Sequence, residues 1–147
     1  PKQISATGGS YLTEGIEDTV VSAMKFDDQT RAHIFVSWLH PFKEQRLVVV
    51  GDKKMASFDD VAPFGQKLAL YPNTVKFEGA TPLLKKGDAQ YIEHDEKEPL
   101  REECRHFLHC ITSRHQPLTN AESGIDVLRV LHACQSSIEK GGLPANF

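Results

Sequence analysis

No run or stripe of Lys and Arg occurs in the chain, and the formal net charge is -3 at pH 7 with histidines neutral. Nothing therefore marks it as a binder of nucleic acid or of an anionic membrane. No apolar run approaches the roughly 18 residues of a membrane span, and no charged segment leads into an apolar one as in a signal peptide. Cysteine is scarce. Cys104, Cys110 and Cys134 are an odd set of three without CxxC or other ligand-like spacing, which argues against a disulfide framework and fits a reducing cytoplasm. Gly8-Gly9-Ser10 is not a phosphate loop, because no helical pattern follows it. A first residue of Pro1 fits either a removed Met or a fragment.

What is there is an ordinary globular composition, 39% hydrophobic and 25% charged over 147 residues. The length suits a single domain, residues 1–147, able to bury roughly 70% of its unfolded-chain surface. The pattern begins with period two. Lys2–Thr7 reads as a short strand, and Asp18–Phe26 alternates Val20, Ser22, Met24 and Phe26 against Thr19, Val21, Ala23 and Lys25. Asp27-Asp28-Gln29 turns the chain into Thr30–Leu39, where Ala32, Ile34, Val36 and Trp38 alternate with His33, Phe35, Ser37 and Leu39. Pro41 ends that strand, Lys43–Val50 is expected to return beside it, and Gly51-Asp52 leads into Lys54–Phe58. Lys67–Tyr71, Thr74–Glu78 and Ala89–Glu93 read as further short strands.

After Asp95 the period changes to about 3.6. Leu100, Cys104, Phe107, Leu108 and Ile111 make one stripe, with Pro99 suited to the first helical position. A second helix is expected behind Thr119, whose hydroxyl suits a capping box with Glu122. Its apolar set of Ile125, Val127, Leu128, Val130, Leu131, Cys134 and Ile138 is wide enough to need burial on more than one side, and Gly141-Gly142 supplies the stop. Residues 143–147 read as a tail. The expected class is α+β: an open, mostly antiparallel sheet with two C-terminal helices packed on one face. Two helices cover roughly 20 Å, about four strands, on one face only. The central strands are apolar on both faces, so the other face is predicted to close against a second copy, as a homodimer or tetramer.

Few residues suggest chemistry. Glu102, His106 and His109 share one helical side at zinc-like spacing, but a solvated face explains them better and no metal site is assigned. Cys104 and Cys134 fall among apolar positions as core thiols. No catalytic or cofactor-binding residue can be nominated. Trp38, His40, Lys43 and Arg46 are the cluster to follow: an aromatic face and two cations around a turn suit a sugar ring with an anionic phosphate or carboxylate.

Three stretches in order, residues 17–55, 99–134 and 136–141, resemble the C-terminal domain of the glucose-fructose oxidoreductase, inositol dehydrogenase and MocA family. The second is the more specific, with HF in mid-helix, a Pro-containing turn and a helix carrying G-x-x-V-L-x-V-L-x-A, here from Gly124 to Ala133 with Asp126 between. SWLHPFK, residues 37–43, is most similar to enzymes that oxidise position 3 of UDP-N-acetylglucosamine or its uronic acid. The resemblance implies a parent that is a cytoplasmic NAD(P)-dependent dehydrogenase of a sugar or nucleotide sugar. It also implies a partner, the N-terminal Rossmann half holding NAD(P), which is missing here: no G-x-G-x-x-G, no E-K-P and no D-x-x-x-H of that half occurs in this sequence, and Glu96-Lys97-Glu98-Pro99 has one Glu too many. On that reading this chain supplies substrate contacts and the oligomer interface and is inactive alone. The rival reading is a free-standing protein-interaction module that uses the open sheet face.

Overall fold

A computed structural model describes residues 1–72, 74–85 and 87–147, with 74, 77, 84 and 85 through their backbone alone. The chain divides into two compact units, Pro1–Pro41 with Cys104–Phe147, and Phe42–Glu103. Every strand pair is antiparallel and two long helices follow, which is the α+β architecture read from the sequence.

The first unit is built on β1 (Gln3–Gly9), β2 (Thr19–Lys25), β3 (Arg31–Ser37) and β10 (Ala145–Asn146), in the order β10-β1-β2-β3. Val20 lies opposite Val36, Ser22 opposite Ile34 and Met24 opposite Ala32. The alternation therefore settles on the expected two faces. Gln29, at φ 66, closes the turn between β2 and β3, with the Thr30 N–H donating to Asp28 Oδ1 at 3.1 Å. β1 runs further than its composition promises, through Gly8 and Gly9, because Val20 and Thr19 provide ladder partners for them.

One face of this sheet takes α2 (Ala121–Glu139). Ile4, Met24 and Ala133 form the buried cluster, with Phe26, Ala32, Val130, Cys134 and Ala145 packed against it. Burying side chains the size of Ile4 and Met24 contributes about 1.5–3 kcal/mol each. Ser137, fully buried, fastens the layers: its Oγ accepts from the Ala6 N–H at 2.8 Å and donates to the Leu143 carbonyl at 2.8 Å. Gly142, at φ 91, ends the helix where an added Cβ would come within 2.9 Å of Thr7 Cγ2, so glycine meets both the left-handed backbone and the close approach. The 143–147 stretch is consequently not a tail, for β10 pairs Ala145 with Ile4 and Asn146 with Gln3. Two residues carry no periodicity, and only the neighbouring strand reveals them.

The second unit holds β4 (Arg46–Val50), β5 (Met55–Asp59), β6 (Leu68–Tyr71) and β9 (Gln90–Tyr91) in that order, and a separate hairpin of β7 (Thr74–Glu78) and β8 (Thr81–Lys85). Here the continuous meander expected from the sequence is corrected. β4 pairs with β5 and not with β3, so the Pro41 segment joins two sheets instead of turning a hairpin. β8 was hidden by Pro82, which removes a ladder donor but is tolerated in a two-stranded ribbon.

α1 (Pro99–Ser113) starts at Pro99 as expected, and the Glu98 carboxylate accepts from the Arg101 N–H at 2.8 Å. The acidic residue that spoils an E-K-P motif is thus the helix cap. The cap of α2 is Asn120, not Thr119: its Oδ1 accepts from the Ser123 N–H at 2.9 Å. Two burial expectations need correction. Cys110 is the buried residue of α1, whereas Leu100, Phe107, Leu108 and Ile111 are exposed; on α2, Ile125, Val127, Leu128 and Leu131 are exposed too. The second side of α2 has no cover within this chain's described residues.

Candidate functional site

The four residues singled out around the turn after β3 fall on both units, Trp38 and His40 on the first, Lys43 and Arg46 on the second. Each environment is defined separately.

Trp38 is 76% exposed, so its ring is a free aromatic surface, while its backbone is anchored by donation to the Asp18 carbonyl at 2.8 Å. Asp18 is the residue that sequence reasoning missed. It is 3% exposed, and its carboxylate accepts from the backbone N–H groups of Tyr11 and Leu12, the latter at 2.7 Å, so one side chain organises the 10–18 loop and the strand end that bears Trp38. An Asp directly before a strand and behind a glycine-rich loop was the available signal. The His40 ring lies tilted against Phe35, centroids 5.3 Å apart, at the end of the same strand.

On the second unit both cations meet carboxylates. Arg46 donates to Asp59 Oδ2 through Nη2 at 2.8 Å and Nε at 3.3 Å; Lys43 Nζ lies 3.6 Å from Asp60 Oδ2, and Lys67 Nζ lies 3.0 Å from Asp60 Oδ1. The hydrogen bond from Arg46 holds the Asp59 carboxyl below its ordinary range and raises the guanidinium in turn. Lys67, then more weakly Lys43, does the same for Asp60. The Arg46 and Lys43 side chains are themselves well exposed, so their pairs are worth little against water and an incoming phosphate or carboxylate can take over these two cations at small cost. On the second unit the arrangement suits anion binding, and on the first Trp38 by itself offers a sugar-sized aromatic surface. It holds no nucleophile poised on a base.

Several histidines and cysteines are engaged structurally. His106 Nε2 accepts from the Leu118 N–H at 3.1 Å and lies 3.5 Å from Cys110 Sγ, while His109 stacks on His115 at 5.9 Å. Among the described residues no three His, Cys, Asp or Glu side chains converge on one point, and Glu102, His106 and His109 are no exception. Burial pushes the Cys134 thiol up, with a smaller opposing effect from a hydrogen bond to Ser22, which keeps it a core thiol. Cys104, expected in the core, is exposed along with the rest of the α1 stripe. Among the described residues no helix is long and apolar enough to cross a membrane.

Residues 1–57 match the family model described as the GFO/IDH/MocA C-terminal domain. A protein of Haemophilus influenzae whose function is uncharacterised is 30% identical over 43 residues, 29% of this chain and 42% of that protein. Among solved structures, UDP-N-acetylglucosamine 3-dehydrogenase from Acidithiobacillus ferrooxidans superposes with a TM-score of 0.73 at 16% identity, covering 93% of this chain and 40% of that one. The WlbA dehydrogenase from Bordetella pertussis, solved with NADH and UDP-GlcNAcA, gives 0.67 at 17% identity over 99% of this chain and 38% of that one. An inositol dehydrogenase homolog from Azotobacter vinelandii, complexed with NAD+, gives 0.64 at 15% identity over 99% and 43%. The fold is shared with these oxidoreductases over nearly the whole chain, and this chain spans about two fifths of their length.

Proposed function

We propose that this chain is the C-terminal portion of an NAD(P)-dependent cytoplasmic oxidoreductase that acts on a hydroxyl of a sugar or nucleotide sugar. The observation that carries the reading is the extent of the superposition on the Acidithiobacillus ferrooxidans dehydrogenase, 93% of this chain against 40% of that one. The match of residues 1–57 to the family model supports it from sequence. NAD(P), when bound, would accept or return the hydride. The described residues do not fit that cofactor: the strands pair antiparallel, no glycine-rich strand-to-helix turn exists, and α1 begins on the Glu98 carboxylate, which would repel a pyrophosphate. A Rossmann half outside this chain would hold it.

In that parent, Trp38 and His40 would offer their rings to the sugar, and Lys43 and Arg46 would exchange Asp60 and Asp59 for the anionic part of the substrate. The open apolar sheet faces would close against a second copy, forming a homo-oligomer. The second reading is a free-standing interaction module, favoured by the apolar residues left exposed on β3 and β4, Phe35 and Val49 among them.

Two measurements separate these readings. Titrating this chain with NAD+ by calorimetry should show no saturable binding; saturation would overturn the reading of a half-enzyme. The coding sequence upstream of Pro1 should contain G-x-G-x-x-G, E-K-P and D-x-x-x-H, and unrelated sequence there decides for the module. In the longer protein, Lys43→Ala with Arg46→Ala should raise KM for a nucleotide sugar, and an unchanged KM removes both residues from the substrate site.

A further inference from the structure

The face of the first sheet opposite α2 is not uniformly apolar. The register sets Gln3, Lys25 and Arg31 in one row across β1, β2 and β3, and Ser5, Ala23 and His33 in the next. Val21 and Phe35, the exposed apolar pair, follow beyond them. At the polar corner a cavity of about 290 Å³ is lined by both rows, with no carboxylate among the residues lining it. The adjacent turn holds two carboxylates, and both are engaged: Asp27 with Lys2, and Asp28 with the Thr30 N–H.

Lys25 stands directly opposite Arg31. Like charges facing each other across a strand pair destabilise it; the Asp28 carboxylate feels the Arg31 charge but is itself bound to the Thr30 N–H, and Lys25 has no carboxylate partner among the described residues. Arg31 Nη1 donates to the neighbouring Thr30 carbonyl, at 2.8 Å, and neither the Lys25 nor the His33 side chain has a hydrogen bond or ion pair among the described residues. A cross-strand pair of cations, an imidazole, an amide and a hydroxyl thus surround one small concavity with a methyl floor. Bound negative charge converts that repulsion into charge-assisted hydrogen bonds.

We propose that this corner binds a small multiply charged oxyanion, with Lys25 and Arg31 clamping its oxygens and Gln3, Ser5 and His33 completing the shell. The size admits a pyrophosphate or a phosphate ester. The site lies within the first unit, at the polar end of the face that carries Val21 and Phe35, and shares no residue with the Trp38, His40, Lys43 and Arg46 cluster, so its test is separate from that of the substrate site.

Calorimetry of the intact chain at low ionic strength with pyrophosphate, and separately with citrate, tests it. One saturable site per chain is expected, with affinity falling as salt is added. Lys25→Gln with Arg31→Gln should weaken it by about tenfold or more, from two lost charge-assisted bonds, while Lys53→Gln leaves it unchanged. Binding of both anions assigns the site to polyanions generally, and binding of pyrophosphate alone assigns it to phosphate groups; either result supports the proposal. No saturation at millimolar anion, or equal affinity in the double variant, overturns it. In the wild-type chain, pyrophosphate should also slow chemical acetylation of Lys25 more than of Lys53, and equal slowing counts against the site even if the double variant misfolds.

Discussion

β1 and β4 make an instructive pair. Both are short strands in four-stranded antiparallel sheets, yet Ile4 of β1 is 0% exposed and every residue of β4, Arg46 to Val50, is exposed. The more hydrophobic strand is the less buried. β1 has α2 across its face and Ser137 reaching its backbone, whereas β4 carries three consecutive valines in a unit where, among the described residues, Ala69 is the buried apolar one. Apolar composition states a demand for cover, and only a second element in the right place meets it.

The sharpest test of that contrast is a matched pair of truncations. Ile4→Ala should destabilise this chain by about 2–5 kcal/mol in chemical denaturation, and Val49→Ala by no more than about 0.5 kcal/mol. A comparable loss at Val49 would mean that β4 is covered in solution, and its dependence on protein concentration would identify a second copy as the cover. Next in size is Ser137→Ala, expected to cost about 1–3 kcal/mol, because the Ala6 N–H would remain buried without its acceptor. Asn120→Ala should cost about 1 kcal/mol through loss of the cap at the start of α2. Asn120→Ser would recover most of it.

The smallest effect belongs to the ion pairs of the second unit. Asp59 and Asp60 have folded-state pKa values lowered by Arg46 and Lys67. Their contribution is therefore present above the ordinary Asp pKa of about 4 and fades as pH falls through the lowered folded values. Replacing Arg46 with Gln should flatten a shallow acid-side slope in stability and leave neutral-pH stability nearly unchanged. A large loss at neutral pH would show the pair to be more than a surface contact.

Much of the local structure was legible because its causes are local. Alternation over residues 19–37 predicted the β2–β3 hairpin and both its faces, Pro99 marked the first turn of α1, and Gly141-Gly142 marked the end of α2. Thr119, expected as the cap of α2, and Asn120, the observed one, are both good capping residues one position apart, and only the direction of a side chain separates them. Asp18 escaped notice because its partners are backbone N–H groups, which every sequence has.

By itself, then, the sequence determined most of the strands, both helices, their α+β class and the excess of apolar faces, all consequences of side-chain period and of residues that start or stop an element. Tertiary structure alone decided that Pro41 separates two sheets, that Ala145-Asn146 returns to β1, and that Lys25 meets Arg31 beside a cavity. Those outcomes join residues distant in the chain, where pairing depends on which edges and faces remain unoccupied after the local elements form.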